Sequence, residues 1–447
     1  MSVNHQDLLS MSTSYKEYLY HTIIHKTARI GVIGLGYVGL PTAFEKAEEG
    51  YQVIGFDVSD FKVKQVNNGT NYINDIDDTT FNELTKVRKK LSATSDFSEL
   101  SKVDIVLICV PTPIDEYKQP DLSFVRSAAE SIAEHLHPGM LVILESTTYP
   151  GTTEEIMMPL FEEKGYTAGK DLFVAYSPER IDPGNRQFGI KNTPKIVGGV
   201  TDNCTTLAAE FIGDVSYPVS SIKVAEMAKV YENTFRFINI AFANEMAVLG
   251  EKMDIDMWEV IEASGTKPYG FMKFFPGPGV GGHCIPVDPY YLTYKAKELN
   301  QNTKLIELAG EINNKMSEVV VNRAMKSLNQ HGKAINGSKV VVLGVAYKRD
   351  ISDMRESPIL PILDELANAN AEITVCDPFV NQIPVNNEMR TTEKYSKRLL
   401  KDADLVIIGT DHTCFDYEEI LEESKIVLDT RNACKDIEEK YSNYIRL

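Results

Sequence analysis

Short apolar runs, each ending in a polar loop, set the rhythm of this chain. Arg29-Ile30-Gly31-Val32-Ile33 reads as a buried strand, followed by a glycine-rich turn and a helical stretch through Glu49. A second strand, Tyr51 to Phe56, closes at Asp57. Further strands are expected at Val103–Val110, at Leu141–Leu144 and at Leu172–Ala175. They run into Pro111-Thr112-Pro113, Glu145-Ser146-Thr147-Thr148 and Tyr176-Ser177-Pro178-Glu179-Arg180. Strands alternating with helical stretches predict an open parallel sheet, whose ligands bind at the carboxyl ends of the strands. Pro218 then precedes a stretch free of Gly and Pro, Ser221 to Leu249, which predicts one long helix. Ala225, Met227, Ala228, Val230, Phe235, Phe237, Ile238, Ile240, Ala241 and Phe242 make it apolar on several faces. A helix of this kind is expected to be buried between domains or subunits.

The opening pattern returns near the end. Lys339–Gly344, Ala371–Cys376 with Asp377, Asp402–Ile408 and Lys425–Asp429 repeat the order of the first strands. The expected fold is therefore α/β, with two Rossmann-like doubly wound domains joined by a long central helix in an α-helical dimerisation domain. The expected boundaries are an extension at 1–27, a first Rossmann domain at 28–216, a central helical domain at 217–317 and a second Rossmann-like domain at 318–447. The extension is polar and charged and reads as short helix or flexible chain, without a secretory h-region.

The first turn carries Gly34-Leu35-Gly36-Tyr37-Val38-Gly39, between a strand and a helix. In that setting Gly34 permits the tight turn, Gly36 lets a pyrophosphate approach the backbone, and Gly39 permits close helix packing. The helix N-terminus favours the phosphate charge. Asp57 can accept from the ribose hydroxyls and repels a 2′-phosphate, so NAD is expected over NADP. The second domain has Gly344-Val345-Ala346-Tyr347-Lys348 instead and cannot cradle a dinucleotide in the same way. It offers Lys348 and Arg355 to a phosphorylated ligand. Two nucleotide-type ligands meeting at an interdomain cleft are the expectation.

The formal charge of −18 argues against nucleic acid and anionic membranes as partners, without excluding an anionic substrate. No apolar run is long enough to span a bilayer. The six cysteines show no CxxC or Cys/His metal spacing, so free thiols, a cytoplasmic setting and no metal are expected. Cys109 and Cys376 lie in apolar runs and read as core. Cys284 differs. It follows Pro276-Gly277-Pro278-Gly279-Val280-Gly281-Gly282-His283, a setting that presents a thiol for reaction rather than packing. A nicotinamide cofactor with a nucleophilic cysteine implies alcohol oxidation through an aldehyde, a thiohemiacetal and a thioester to the acid.

Such chemistry needs an oxyanion stabiliser and a means to activate water. Lys229 and Asn233 share one helix face at i,i+4 and can bracket an alkoxide, although such polar pairs are common on helices. Asp288 is a candidate for activating water, or a turn residue before Pro289. Glu179 is a candidate base, or an ordinary loop carboxylate. His283 points away from Cys284 in extended backbone and reads as structural.

In this order the motifs resemble the UDP-glucose/UDP-mannose dehydrogenase family from Arg29 to the C-terminus. The matching segments are Gly34-x-Gly36-x-x-Gly39, Val110-Pro111-Thr112-Pro113, Glu145-Ser146-Thr147, Ser177-Pro178-Glu179, Lys229-x-x-x-Asn233, Gly281-Gly282-His283-Cys284-x-x-x-Asp288 and Tyr347-Lys348-x-x-x-x-Asp353-x-Arg355-Glu356-Ser357. The resemblance implies NAD-dependent four-electron oxidation of a nucleotide sugar at C6 by a homodimer or higher homo-oligomer. It implies Cys284 as nucleophile, Lys229 on the oxyanions, and Asn233 holding the sugar. Asp288 and Glu179 handle water and protons, and Thr147 positions water near the nicotinamide.

Cofactor contacts are implied for Gly34, Gly36, Tyr37, Val38, Asp57, Lys62, Pro111, Thr112, Thr147 and Arg355. Substrate contacts are implied for Glu179, Arg180, Lys229, Asn233, Lys267, Gly281 and Lys348. The Ser177-Pro178-Glu179-Arg180 form with Pro183-Gly184, together with Thr266–Phe271 and the Pro276–Gly279 loop, is most similar to UDP-N-acetylglucosamine 6-dehydrogenases. These supply uronic acids for bacterial surface polysaccharides. UDP-N-acetylgalactosamine, UDP-N-acetylmannosamine and UDP-glucose stay open as substrates. A β-hydroxyacid dehydrogenase would need neither Cys284 nor a second Rossmann-like domain. A non-catalytic NAD sensor would not need Cys284, Lys229, Asn233 and Asp288 together.

Overall fold

The computed structural model describes residues 14–73, 76–180, 187–189 and 191–447. The Pro183-Gly184 part of the subfamily motif and residues 1–13 of the extension lie outside the described residues. The chain forms two compact units. One runs to Glu232 and takes in Tyr290–Leu299; the other comprises Asn233–Pro289 and Asn300–Leu447.

The first unit is built on eight strands: β1 Arg29–Ile33, β2 Gln52–Phe56, β3 Leu91–Thr94, β4 Ile105–Ile108, β5 Met140–Leu144, β6 Leu172–Tyr176, β7 Lys195–Gly199 and β8 Ser216–Pro218. Their order is β3-β2-β1-β4-β5-β6-β7-β8. The first six are parallel, and β7 runs antiparallel to β6. The order reverses between β1 and β4, which sets the ligand crevice at their carboxyl ends. Both faces are covered. Ile30, Val32, Ile105, Leu107, Leu141 and Ile143 pack on one side, while Ile33, Val106, Ile108, Val142 and Leu144 pack on the other. Burial on both faces is why these strands read as unbroken apolar runs instead of alternating ones.

β3, β7 and β8 were not expected from the sequence. β3 and β8 are short with few apolar residues, and β7 opens on a lysine. The helix Tyr15–Ile24 belongs to this core. Leu19 and Ile23 are buried against Leu207 and Phe211 of the helix Asp202–Ile212, although the segment reads as polar overall. Two apolar residues four apart are enough for a helical face to dock.

The second unit carries β9 Lys339–Leu343, β10 Glu372–Cys376, a two-stranded hairpin of β11 Gln382–Val385 and β12 Glu388–Thr391, then β13 Leu405–Ile408, β14 Val427–Asp429 and β15 Tyr444–Arg446. The sheet order is β10-β9-β13-β14-β15, all parallel. It repeats the switch between its first and third sheet strands. The repeat expected from the sequence is thus a second doubly wound sheet.

The long helix spans Ile222–Met253, about 48 Å at 1.5 Å per residue. It overruns the expected end because Gly250 is helical. A Cβ there would lie 2.5 Å from Met257 Cγ and 2.9 Å from the Ile255 carbonyl oxygen, so the glycine serves close packing and not termination. Ala225, Val230, Phe237 and Ala241 are buried, whereas Met227, Tyr231, Phe235, Phe242 and Leu249 are exposed in the single chain. Among the described residues no helix is long and apolar enough to cross a membrane.

Candidate active site

The first βα turn is shaped for a pyrophosphate. Gly34 has φ +92°, and a Cβ on it would come within 2.7 Å of the Cys109 carbonyl oxygen. A Cβ on Gly39 would sit 1.8 Å from the Gly34 carbonyl oxygen. At Gly36 nothing lies within 4 Å of the Cβ position. The helix Gly39–Glu48 begins at Val38 with no side-chain cap, so its first N–H groups face that opening. Asp57 ends β2; its Oδ2 accepts from Leu35 N at 2.8 Å and pairs with Lys62 at 2.9 Å, and its Oδ1 accepts from Ser59 N at 2.9 Å. The donors, the opening and the acidic residue fit NAD. Tyr37 is half exposed beside the turn, and Val38 is partly buried. In the loop after β4, Pro111 is exposed, and the Thr112 carbonyl accepts from the buried Tyr291 hydroxyl at 2.5 Å.

The equivalent turn of the second sheet keeps the scaffold and closes the opening. Asp377 holds Val345 N at 2.7 Å, as Asp57 holds Leu35 N. Gly344 has φ +81°. Ala346, in the place of Gly36, is fully buried, and its carbonyl accepts from Thr410 Oγ1. His412, also fully buried, pairs through Nε2 with Asp377 at 3.1 Å, and its Nδ1 accepts from Asp350 N at 2.9 Å. A pyrophosphate cannot approach this turn as it can approach Gly36.

At the carboxyl edge of the first sheet lies a charged cluster that sequence reading overlooked. Lys195, at the start of β7, places its ammonium 3.1 Å from Glu145 and 3.2 Å from Glu179. The lysine keeps only 8% of its side-chain surface, Glu145 3% and Glu179 12%. Burial works against the lysine's charge, but the two carboxylates outweigh it and raise its pKa. Glu45, buried on the helix Gly39–Glu48, is pushed by burial up to about 7 against the pull of Lys46 and Lys195. Burial and then Glu145 push the Cys109 thiol far up, which keeps it an inert core thiol. The visible signal for Lys195 was a lysine heading an apolar run; nothing in its spacing joined it to Glu145 or Glu179.

Glu179 Oε1 accepts from Arg180 N at 2.7 Å, and its carbonyl accepts from Lys229 Nζ at 2.7 Å. The Arg180 guanidinium chelates Glu232, at 2.8 and 3.3 Å, and reaches the Pro194 carbonyl at 2.8 Å. Thr147, in the loop after β5, is half-buried. Glu226, one turn before Lys229, is fully buried and accepts from Gly151 N, Thr153 N and Thr153 Oγ1. It ties the long helix to the loop after β5.

In the second unit the Asp288 carboxylate accepts from Asn233 Nδ2 at 2.6 Å, and Asp288 N donates to the Cys284 carbonyl at 2.8 Å. Cys284 is half-buried; Cys109, Cys204, Cys376 and Cys434 are buried, and all six cysteines are free thiols. The glycines before Cys284 serve a close approach of protein loops. A Cβ on Gly281 would lie 2.6 Å from Tyr347 Cβ and 2.8 Å from Pro358 Cδ; one on Gly282 (φ +86°) would lie 3.0 Å from the Tyr347 ring. Gly282 N donates to the Arg355 carbonyl at 3.0 Å. The Cys284 loop and the Tyr347–Pro358 loop therefore interlock.

Burial would raise the Asp353 carboxyl, but bidentate bonds from Arg355, at 2.7 and 3.0 Å, hold it below the ordinary range. Lys348 is half-buried. Lys267 is exposed, 4.9 Å above the Tyr269 ring.

Models of the UDP-glucose/GDP-mannose dehydrogenase family match consecutive stretches: the NAD binding domain at residues 28–213, the central domain at 223–315 and the UDP binding domain at 341–436. The UDP-N-acetyl-D-glucosamine 6-dehydrogenase of Pseudomonas aeruginosa is 39% identical over 361 residues, 80% of this chain and 84% of that protein. The solved UDP-D-ManNAc dehydrogenase of Pyrococcus horikoshii superposes with a TM-score of 0.84 at 34% identity, covering 94% of this chain and 98% of that one. An NDP-N-acetyl-D-galactosaminuronic acid dehydrogenase from Methanosarcina mazei Go1 gives 0.78 at 29% identity, covering 98% of both chains. The matches run through both Rossmann-like sheets and the helical segment between them, and the Gly36 opening fits the cofactor the family uses. This chain belongs to the UDP-glucose/GDP-mannose dehydrogenase family and is an NAD-dependent oxidoreductase.

Proposed function

We propose that this enzyme oxidises the C6 hydroxyl of UDP-N-acetylglucosamine to the carboxylate, giving UDP-N-acetylglucosaminuronate for surface polysaccharide assembly. The observation that carries the reading is the pairing of a half-buried Cys284 with Asp288 one turn on, whose carboxylate is held by Asn233. A single alcohol-to-ketone oxidation needs no such thiol.

In this reading residues 28–216 hold NAD, 217–317 form the helical part, and 318–447 hold the UDP-sugar. The Gly34–Gly39 turn and Asp57 hold NAD, which accepts one hydride in each of two oxidations. Lys229 gives up its bond to the Glu179 carbonyl and stabilises the developing C6 oxyanion. The C6 alcohol loses a hydride and a proton to become the aldehyde. The Cys284 thiol adds across the aldehyde C=O, its sulfur to C6 and its proton to the C6 oxygen, and forms a thiohemiacetal. Loss of a second hydride and proton leaves the thioester. Asp288, oriented by Asn233, and Glu179 take the proton of the attacking water, which Thr147 positions, and the thiol is released with the acid. Lys348 and Lys267 face the nucleotide-sugar, and Arg355 the cofactor.

The exposed Met227, Tyr231, Phe235 and Phe242 of the long helix support a homodimer. Free thiols support a cytoplasmic location. The substrate choice is supported by the 39% identity to a UDP-N-acetyl-D-glucosamine 6-dehydrogenase and by the Ser177-Pro178-Glu179-Arg180 motif. The named relatives also act on other N-acetylhexosamines, so the test compares sugars. NADH is counted per limiting UDP-N-acetylglucosamine, UDP-N-acetylgalactosamine, UDP-N-acetylmannosamine and UDP-glucose. Two NADH per sugar with UDP-N-acetylglucosamine preferred is expected. One NADH per sugar would remove the thioester; preference for another sugar would move the substrate.

A further inference from the structure

β7 runs antiparallel to β6, against the common direction of β1–β6, and β8 runs parallel to β7. That reversal brings its first residue, Lys195, to the edge where β5 and β6 end. The ammonium there meets Glu145, the first residue past β5, and Glu179, three residues past β6. One buried cation thus ties together three strand ends at the carboxyl edge of the NAD-binding sheet.

Glu179 has its Oε2 on Lys195, its Oε1 on the Arg180 N–H and its carbonyl on Lys229. A carboxylate this buried favours its neutral form unless a cation faces it. Among the described residues, the cluster also meets Glu45 and Lys46 from the helix Gly39–Glu48, and Cys109 just past β4. Lys229 and the Arg180–Glu232 pair face it from the long helix and the loop after β6. Lys46 is paired with Glu49, Arg180 with Glu232, and Lys229 with a carbonyl. Lys195 is a cation that the structure places on the Glu179 carboxylate, at 3.2 Å.

We propose that Lys195 is a positioning residue, holding the Glu179 carboxylate ionised and aimed for proton transfer and pinning the loop that carries Thr147 through Glu145. The proposal rests on the role given to Glu179 above.

The test uses the full-length enzyme, with thermal melts and NADH binding to show that each variant is folded. Lys195→Met alone strands two buried carboxylates and can fail to fold. The double variant Lys195→Met/Glu145→Gln removes one charge of each sign and leaves the buried net charge unchanged. It is expected to bind NADH as the wild type does and to keep KM for the UDP-sugar within a few-fold. Its kcat is expected to fall on the order of 10²-fold, within the span of general-base losses. The acid limb of kcat/KM is expected to move up by about one pH unit or more, because a carboxylate without its cation holds its proton longer. Lys195→Arg keeps the cation and is expected to return the limb towards wild type.

A folded double variant with wild-type kcat and an unmoved limb would overturn the proposal. So would a slow variant with an unmoved limb, because a purely structural role slows turnover without touching the titration. Glu179→Gln is measured in parallel. If it turned over at the wild-type rate, Glu179 would have no role to position. A slow Glu179→Gln beside a fast double variant would sink Lys195 alone and leave the proposed function standing.

Discussion

Alanine at Gly36 and alanine at Gly39 are expected to have opposite consequences, although the two glycines are three residues apart in one motif. At Gly39 the new Cβ would sit 1.8 Å from the Gly34 carbonyl oxygen and 3.1 Å from Cys109 Cβ. The helix Gly39–Glu48 must retreat by roughly 1.6 Å to restore ordinary contact. Overpacking of this kind costs about 1–3 kcal/mol, offset by about 1 kcal/mol from alanine's better helix propensity. A clash this deep takes the upper end of that range, so a net loss of about 2 kcal/mol is expected in the cofactor-free protein. At Gly36 no atom lies within 4 Å, and the backbone is not left-handed. Alanine there is expected to leave the cofactor-free protein unchanged or up to about 1 kcal/mol more stable. It fills the space that a pyrophosphate needs, and NADH affinity is expected to fall at least tenfold, about 1.4 kcal/mol. Urea denaturation without cofactor measures the first quantity, and NADH fluorescence titration the second. Wild-type NADH affinity in Gly36→Ala would refute the reading of the opening. Wild-type urea stability in Gly39→Ala would refute the packing argument.

Three further outcomes are expected. The folded protein holds the Glu45 proton up to about pH 7 and the unfolded chain releases it near 4.5, so stability from this group is present below 4.5 and lost as pH rises through 7. Glu45→Gln should therefore gain on the wild type by up to about 3 kcal/mol between pH 5 and pH 8.5; a pH-independent difference in denaturation midpoint would count against it. Cys284→Ser is expected to lower acid formation on the order of 10³-fold or more while NADH binding persists, and unchanged release of uronic acid would end the covalent mechanism. Asp377→Ala strips acceptors from Val345, Phe379 and Val380 N–H groups and takes away the partner of His412 Nε2. A loss of about 3 kcal/mol is expected by urea denaturation, and a loss below about 1 kcal/mol would show that water replaces the carboxylate there.

Elements whose signal is local were legible in the chain. β1, β2, β4 and β5, their counterparts β9, β10, β13 and β14, and β6 were legible because burial on both faces demands unbroken apolar runs. Gly34, Gly36, Gly39 and Asp57 were legible because a phosphate-binding turn needs those residue types at those steps. Cys284, Asp288, Lys229 and Asn233 stood out by motif, and the Asn233–Asp288 hydrogen bond joins two of them.

Partnership across distance came from the folded chain. Lys195, Glu145 and Glu179 lie 50 and 16 residues apart, and only an antiparallel β7 brings the lysine to the ends of β5 and β6. Gly281 and Gly282 stood out as part of a glycine-dense loop, and only the fold shows that Tyr347 and Pro358 lie against their missing side chains. Gly250 suggested a helix end and instead admits Met257. A residue type announces what it permits, whereas the neighbour that requires it is set by chain reversals that no local window contains.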